Sequence, residues 1–158
     1  MIPDIYLADV KTNVRAGRYS LLLGAGFSVA SKNRDGVKLP IGTQLADEIA
    51  KKFKLPASYR LTQLAGAVKP AEKLSDFLFK RFYGCVATNQ TRLVSSFVWS
   101  SIYTFNIDDV LNDCYSIQSK LQTPNFLTFR DPFQKPEDPE ELSIVHLHGS
   151  VIRRDHGY

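Results

Sequence analysis

The sequence predicts an α/β fold, a mostly parallel sheet flanked by helices, with a helical insertion between the first and second main strands. Three observations predict it. Short apolar runs at Tyr19–Leu23, Ile102–Phe105 and Ser143–Leu147 have the length of strands. Segments with helical periodicity separate them, and alternation of strands with helices implies a parallel sheet. Each run also ends in an unusual cluster: Gly24-Ala25-Gly26-Phe27-Ser28, then Asn106-Ile107-Asp108, then His148-Gly149-Ser150. Ligands of open parallel sheets gather at the carboxyl ends of strands, so three clusters at equivalent ends point to one shared, Rossmann-like site.

Size and composition set bounds on this reading. A chain of 158 residues is one domain's worth, able to bury about 70% of its unfolded surface. With 44% apolar and 23% charged residues it has an ordinary globular composition. No apolar run nears the roughly 20 residues of a membrane span, and Met1-Ile2-Pro3-Asp4 lacks a basic leader region. A cytoplasmic location is therefore expected, with no membrane partner. The net charge of +4 suits an anionic ligand but falls well short of a nucleic-acid-binding composition. Lys51, Lys52 and Lys54 read as a solvated helix face, and Arg153-Arg154 as surface. Cys85 and Cys114 form no CxxC pair, so no zinc ribbon is expected, and the expected cytoplasmic location argues against a disulfide. Cys114 reads as core, and no metal is called for.

In chain order, Ile5, Val10 and Val14 predict a helix over 3–16 ending at Gly17. The first strand follows, read as buried, then the glycine turn and a polar loop over 31–38 with the turn signal Asp35-Gly36. Thr43 is the expected N-cap of a helix carrying Leu45, Ile49 and Phe53 on one face, stopped by Pro56. Further helices fit 59–68, 71–83 and 89–98, giving an insertion of about 43–98. After the strand at Ile102–Phe105, Asp108 caps a helix with the apolar stripe Val110, Leu111, Cys114, Ile117 and Leu121. Phe126–Phe129 fits a short strand, Pro132–Pro139 a surface loop, and Ser143–Leu147 the third main strand.

The clusters admit specific chemistry. Gly24-Ala25-Gly26 can hold a pyrophosphate on main-chain N–H groups, with the Ser28 hydroxyl as a further donor. It is no P-loop, since no Gly-Lys-Ser or Gly-Lys-Thr follows, and Ala30 breaks the G-x-G-x-x-G fingerprint. Asp47 and Glu48 stand at a distance suited to a ribose-binding acid but read as exposed helix residues. Asn106 can fix a water or sugar hydroxyl, and Asp108 can accept from a carboxamide or ribose. His148 has the imidazole needed to take a proton near neutral pH. His146 lies deeper and reads as a supporting residue, while His156 has no distinguishing context. Each cluster alone also has a structural reading: a strand-to-helix turn, an Asx-turn at Asn106 with a helix cap at Asp108, and a structural histidine.

Together, Gly-Ala-Gly-Phe-Ser, then Thr104-Phe105-Asn106-Ile107-Asp108 after the segment bearing Trp99, then His146-Leu147-His148-Gly149-Ser150 resemble the sirtuin family. The sequence is most similar to the sirtuin-like domains of prokaryotic antiphage defence proteins, from about Tyr19 to Val151. The resemblance implies an NAD-binding domain over 1–158. Gly24, Ala25, Gly26 and Ser28 would line the phosphate and ribose region, with Phe27 and Thr104 in the same two motifs. Asp108 would hold the nicotinamide carboxamide, Asn106 would position the reacting ribose or water, and His148 would be the general base. The implied activity is NAD glycohydrolysis, releasing nicotinamide with ADP-ribose or a cyclised product.

Two departures bear on this. The four-cysteine zinc module of deacylase sirtuins is missing after His148-Gly149, which ranks protein deacylation lower. The chain also ends nine residues past Gly149, before the segments that hold the adenosine half in that family. The expectation is therefore a C-terminally truncated domain of a larger protein, followed there by a sensor or partner domain. The alternatives are a module that binds NAD or ADP-ribose without turnover, and a homo-oligomeric assembly domain using aromatics among Phe77, Phe79, Phe82 and Tyr83.

Overall fold

Four short strands form a single all-parallel sheet in a computed structural model that describes residues 4–156. They are β1 (Ser20–Leu23), β2 (Ser101–Thr104), β3 (Thr123–Thr128) and β4 (Glu141–His146), in the spatial order β1-β2-β4-β3. The register aligns Leu23 with Thr104, Thr104 with His146, and His146 with Thr128. All three clusters therefore leave the sheet at one edge, as the strand ends predict. The α/β architecture and its parallel sheet flanked by helices agree with the sequence reading.

The preceding helix, α1 (Asp4–Arg15), ends as expected: Gly17 adopts φ 64, Arg18 N–H bonds Asn13 C=O and Gly17 N–H bonds Val14 C=O. The side chains of Ile5 and His156 lie outside the described residues. After β1 comes a single turn, α2 (Ala25–Ser28). The insertion holds α3 (Gly42–Phe53), α4 (Leu61–Ala67), α5 (Ala71–Phe82) and α6 (Asn89–Arg92), followed by a 3-10 turn at Leu93–Ser96. It owns a small core of Ile49, Ala50, Leu64 and Val68. Thr43 is not the cap of α3. The helix starts at Gly42, and Gln44 Oε1 accepts from Ile41 N–H in place of a threonine cap. Its end comes at Lys54, in the left-handed region at φ 55, ahead of Pro56.

Two further expectations are corrected. The helix after β2, α7 (Val110–Cys114), stops seven residues before Leu121, which is 52% exposed. Ser116 turns the chain by sending both its N–H and its hydroxyl to Asp113 C=O, a local bond that competes with helix. The Asp113 carboxylate is meanwhile held by Ala87 N–H and Arg92. The first strand, expected to be buried, is an edge strand. One sheet face carries Ile102 and Ile144 into the main core with Leu111, Cys114 and Tyr115. The other carries the row Leu22, Tyr103, Val145 and Leu127, covered near Tyr103 by Phe133 of the 129–140 loop. Leu22, at the end of that row, is 65% exposed. Cys114 is core as expected, its thiol pushed up to about 12 by burial. No helix among the described residues is long and apolar enough to cross a membrane.

Candidate functional site

Ser28, Asn106 and Asp108 come from two strand ends and are tied together by side-chain hydrogen bonds. Asn106 Nδ2 donates to Ser28 Oγ at 2.9 Å and to Gly24 C=O at 3.1 Å. Ser28 Oγ in turn donates its hydrogen bond to Asp108 Oδ1 at 3.1 Å. Asp108 Oδ1 also accepts Val110 N–H, so this carboxylate turns the chain into α7 as well as facing the site. The bonds run in one direction, from amide to hydroxyl to carboxylate.

That direction limits what each group offers a ligand. Both Nδ2 hydrogens of Asn106 are engaged, leaving Oδ1 as its available group, an acceptor. The one proton of Ser28 goes to Asp108, so this hydroxyl is no longer a spare donor for a phosphate. Asn106 forms no Asx-turn. Thr104 instead makes the local turn, its Oγ1 accepting Asn106 N–H at 3.0 Å, and it is fully buried. Thr104 therefore orients the Asn106 backbone from below.

Asp108 is 5% exposed, and burial pushes its carboxyl up to about 6, against the pull of bonds from Val110 and Ser28. Asp109, beside it, turns away and receives Gly84 and Cys85 N–H at 2.7 and 2.8 Å. Sequence reasoning missed this role, because the two partners lie some 25 residues upstream.

These groups form one wall of a cavity of about 200 Å³. Ala25, Ser28, Asn106, Asp108 and His148 supply polar or small surface; Leu45, Leu61, Phe82 and Ile107 supply an apolar wall. The insertion provides much of that wall, and Pro40 and Gly42 also line the cavity. Phe105 lines it too, its ring 5.1 Å from that of His148. His148 is exposed, in the turn after β4, so its imidazole is open to solvent at the rim. His146 is 1% exposed, and its Nδ1 lies 2.8 Å from Asn106 C=O, the supporting role expected of it. Phe27 packs partly against the core rather than lining the cavity. Glu48 forms an ion pair with Arg81, which removes it as a ribose ligand, and Asp47 is exposed. Among the described residues, no three His, Cys, Asp or Glu side chains are grouped to hold a metal.

The two glycines have no steric role in the fold. Gly24 is extended at φ -129 and ψ -172, Gly26 is helical, and a Cβ at either meets nothing within 4 Å. Gly24→Ala and Gly26→Ala are expected to fold normally. The second should gain about 0.5–1 kcal/mol from reduced unfolded-state entropy. If the open space above them admits the phosphates of NAD, both variants bind NAD more weakly than wild type by calorimetry while melting no lower. Lower melting with unchanged binding would assign the glycines to the fold instead.

No protein-family model and no curated protein matches the chain.

Proposed function

We propose that this cavity receives the nicotinamide end of NAD, the rest of the dinucleotide lying outside it, and that the protein cleaves the bond to nicotinamide, as an effector domain of antiphage defence. The observation that carries the reading is the convergence of Ser28, Asn106, Asp108 and His148, from three strand ends, on one cavity with an apolar far wall. A planar nicotinamide suits the wall of Leu45, Leu61 and Phe82, with its carboxamide at Asp108. Asn106 Oδ1 would accept from a ribose hydroxyl or the attacking water, and solvent-open His148 would take the proton. Cationic nicotinamide is already a good leaving group, so the protein's task is mainly to orient the ribose and stabilise an oxocarbenium-like sugar. The open space over Gly24 and Gly26 would admit the phosphates. Homo-oligomeric assembly and a partner domain in the same protein belong to this proposal.

The test is release of fluorescence from an NAD analogue that brightens on cleavage. His148→Ala removes an exposed side chain, so the fold should persist while turnover falls about 100-fold or more. If the variant and the wild type release the same background, the hydrolase reading fails. Tight NAD binding without product in the wild type would instead assign the chain to a binding module.

A further inference from the structure

A second cavity lies behind the turn that carries Asn106, between the ends of β3 and β4, α7 and the residues after Ser150. It measures about 210 Å³ and is lined by Phe126, Leu127 and Ile152 as apolar surface, with Asn112, Thr128, His146, Ser150 and Arg153. Two of its side chains bring buried polar atoms with no hydrogen-bond partner, His146 Nε2 and Asn112 Oδ1. A buried polar atom without a partner costs roughly 1–3 kcal/mol, so two at one cavity call for an occupant.

The chemistry of these atoms is fixed by their surroundings. Asn106 C=O can only accept, so His146 Nδ1 carries a hydrogen and donates to it. Burial lowers the imidazole's tendency to protonate and keeps the ring neutral. Nε2, on the other side of the ring, is therefore a bare acceptor. Asn112 Oδ1 is a second acceptor. Thr128 Oγ1 already serves Asp131, and Asp131 pairs with Arg153 at the rim. The unmet demand is for hydrogen-bond donors on a neutral body. The volume falls below the roughly 300–1,000 Å³ of sites for drug-sized ligands, so it suits one ring system and not a whole dinucleotide.

We infer that this cavity is a binding site for a flat nitrogen heterocycle bearing an –NH2 group, which donates to His146 Nε2 and Asn112 Oδ1 while its ring lies between Phe126 and Ile152. Nicotinamide and adenine both carry this chemistry. The occupant would touch the same imidazole that holds the Asn106 carbonyl, one residue away from the candidate active site. The binding site itself does not depend on the NAD-cleavage reading.

The experiment follows the imidazole nitrogens of His146 by long-range proton–nitrogen NMR in the full chain. Nicotinamide, adenine and N,N-dimethylnicotinamide are titrated in separate arms. The expected result is an upfield movement of Nε2 with nicotinamide or adenine, the stronger binder identifying the source, and none with the dimethyl amide, which lacks donors. Asn112→Ala, which breaks no native hydrogen bond of Oδ1, should weaken binding about tenfold. Ile152→Trp should block it, and Leu61→Trp, in the other cavity, should leave it unchanged. Three results overturn the inference: no movement of Nε2 in any arm, equal binding of the dimethyl amide, or loss of binding in Leu61→Trp alone. The first means that the cavity holds only water.

Discussion

Asp108→Asn is expected to stabilise the protein by about 3 kcal/mol at pH 7 and by almost nothing at pH 4. Burial holds this carboxyl at about 6 instead of its ordinary 3.8. The folded state therefore keeps its proton to higher pH than the unfolded state does. Below about 4 both states are protonated and the group costs nothing. As pH rises from 4 to 6 the unfolded chain ionises first and stability falls; above 6 the cost is constant at about 3 kcal/mol. Asparagine keeps an oxygen for Ser28 and Val110, the two bonds that Asp108 Oδ1 accepts, and removes only the charge. Urea unfolding at several pH values measures the difference. A variant whose advantage does not grow between pH 4 and 7 would rule out the buried charge as its cause. If Asp108 holds the carboxamide of NAD, turnover of the same variant falls at least about tenfold while stability rises, the pattern of a residue kept for function at a cost in stability.

The neighbouring acid should behave in the opposite way. Asp109→Asn is expected to destabilise by about 3 kcal/mol. Each oxygen of Asp109 receives one backbone N–H, Oδ2 from Gly84 and Oδ1 from Cys85, and the residue is 7% exposed. Bonds to a charged acceptor contribute about 1.5–3 kcal/mol each. Asparagine can accept only one of them well and turns its own N–H2 towards the other donor. Unfolding at pH 7 should therefore separate two substitutions of the same chemistry at adjacent positions by about 6 kcal/mol. Equal stability of Asp109→Asn and wild type would mean that Gly84 and Cys85 find other partners.

This contrast marks the boundary of what was legible in the sequence. The amphipathic helices α3 and α5 were readable because their apolar spacing is local. So was the placement of Gly24–Ser28, Asn106–Asp108 and His148 at one sheet edge, since parallel strands align their ends. The central place of β4 was not, because no local pattern states which strands are neighbours. The edge position of β1 escaped for the same reason: Leu21, Leu22 and Leu23 read as a buried run, yet Leu22 faces solvent. The apolar stripe to Leu121 suggested a longer α7 because Ser116's bonds to Asp113 carry no hydrophobic signal. Asp108 and Asp109 look alike in sequence; only partners distant along the chain, Ser28 and Gly84, separate their roles.

The two walls of the candidate cavity have different origins, and this matters for how such a protein can change. The sheet ends supply Asn106, Asp108 and His148, the groups to which the proposal gives the reaction. The insertion supplies Leu45, Leu61 and Phe82, which decide the shape of what fits. Lengthening a connection costs little, about 0.6 kcal/mol for each doubling of a flexible loop. Under the proposed function, substrate range can thus drift through the insertion while the groups on the strand ends stay fixed, much as a tool keeps its handle and changes its bit.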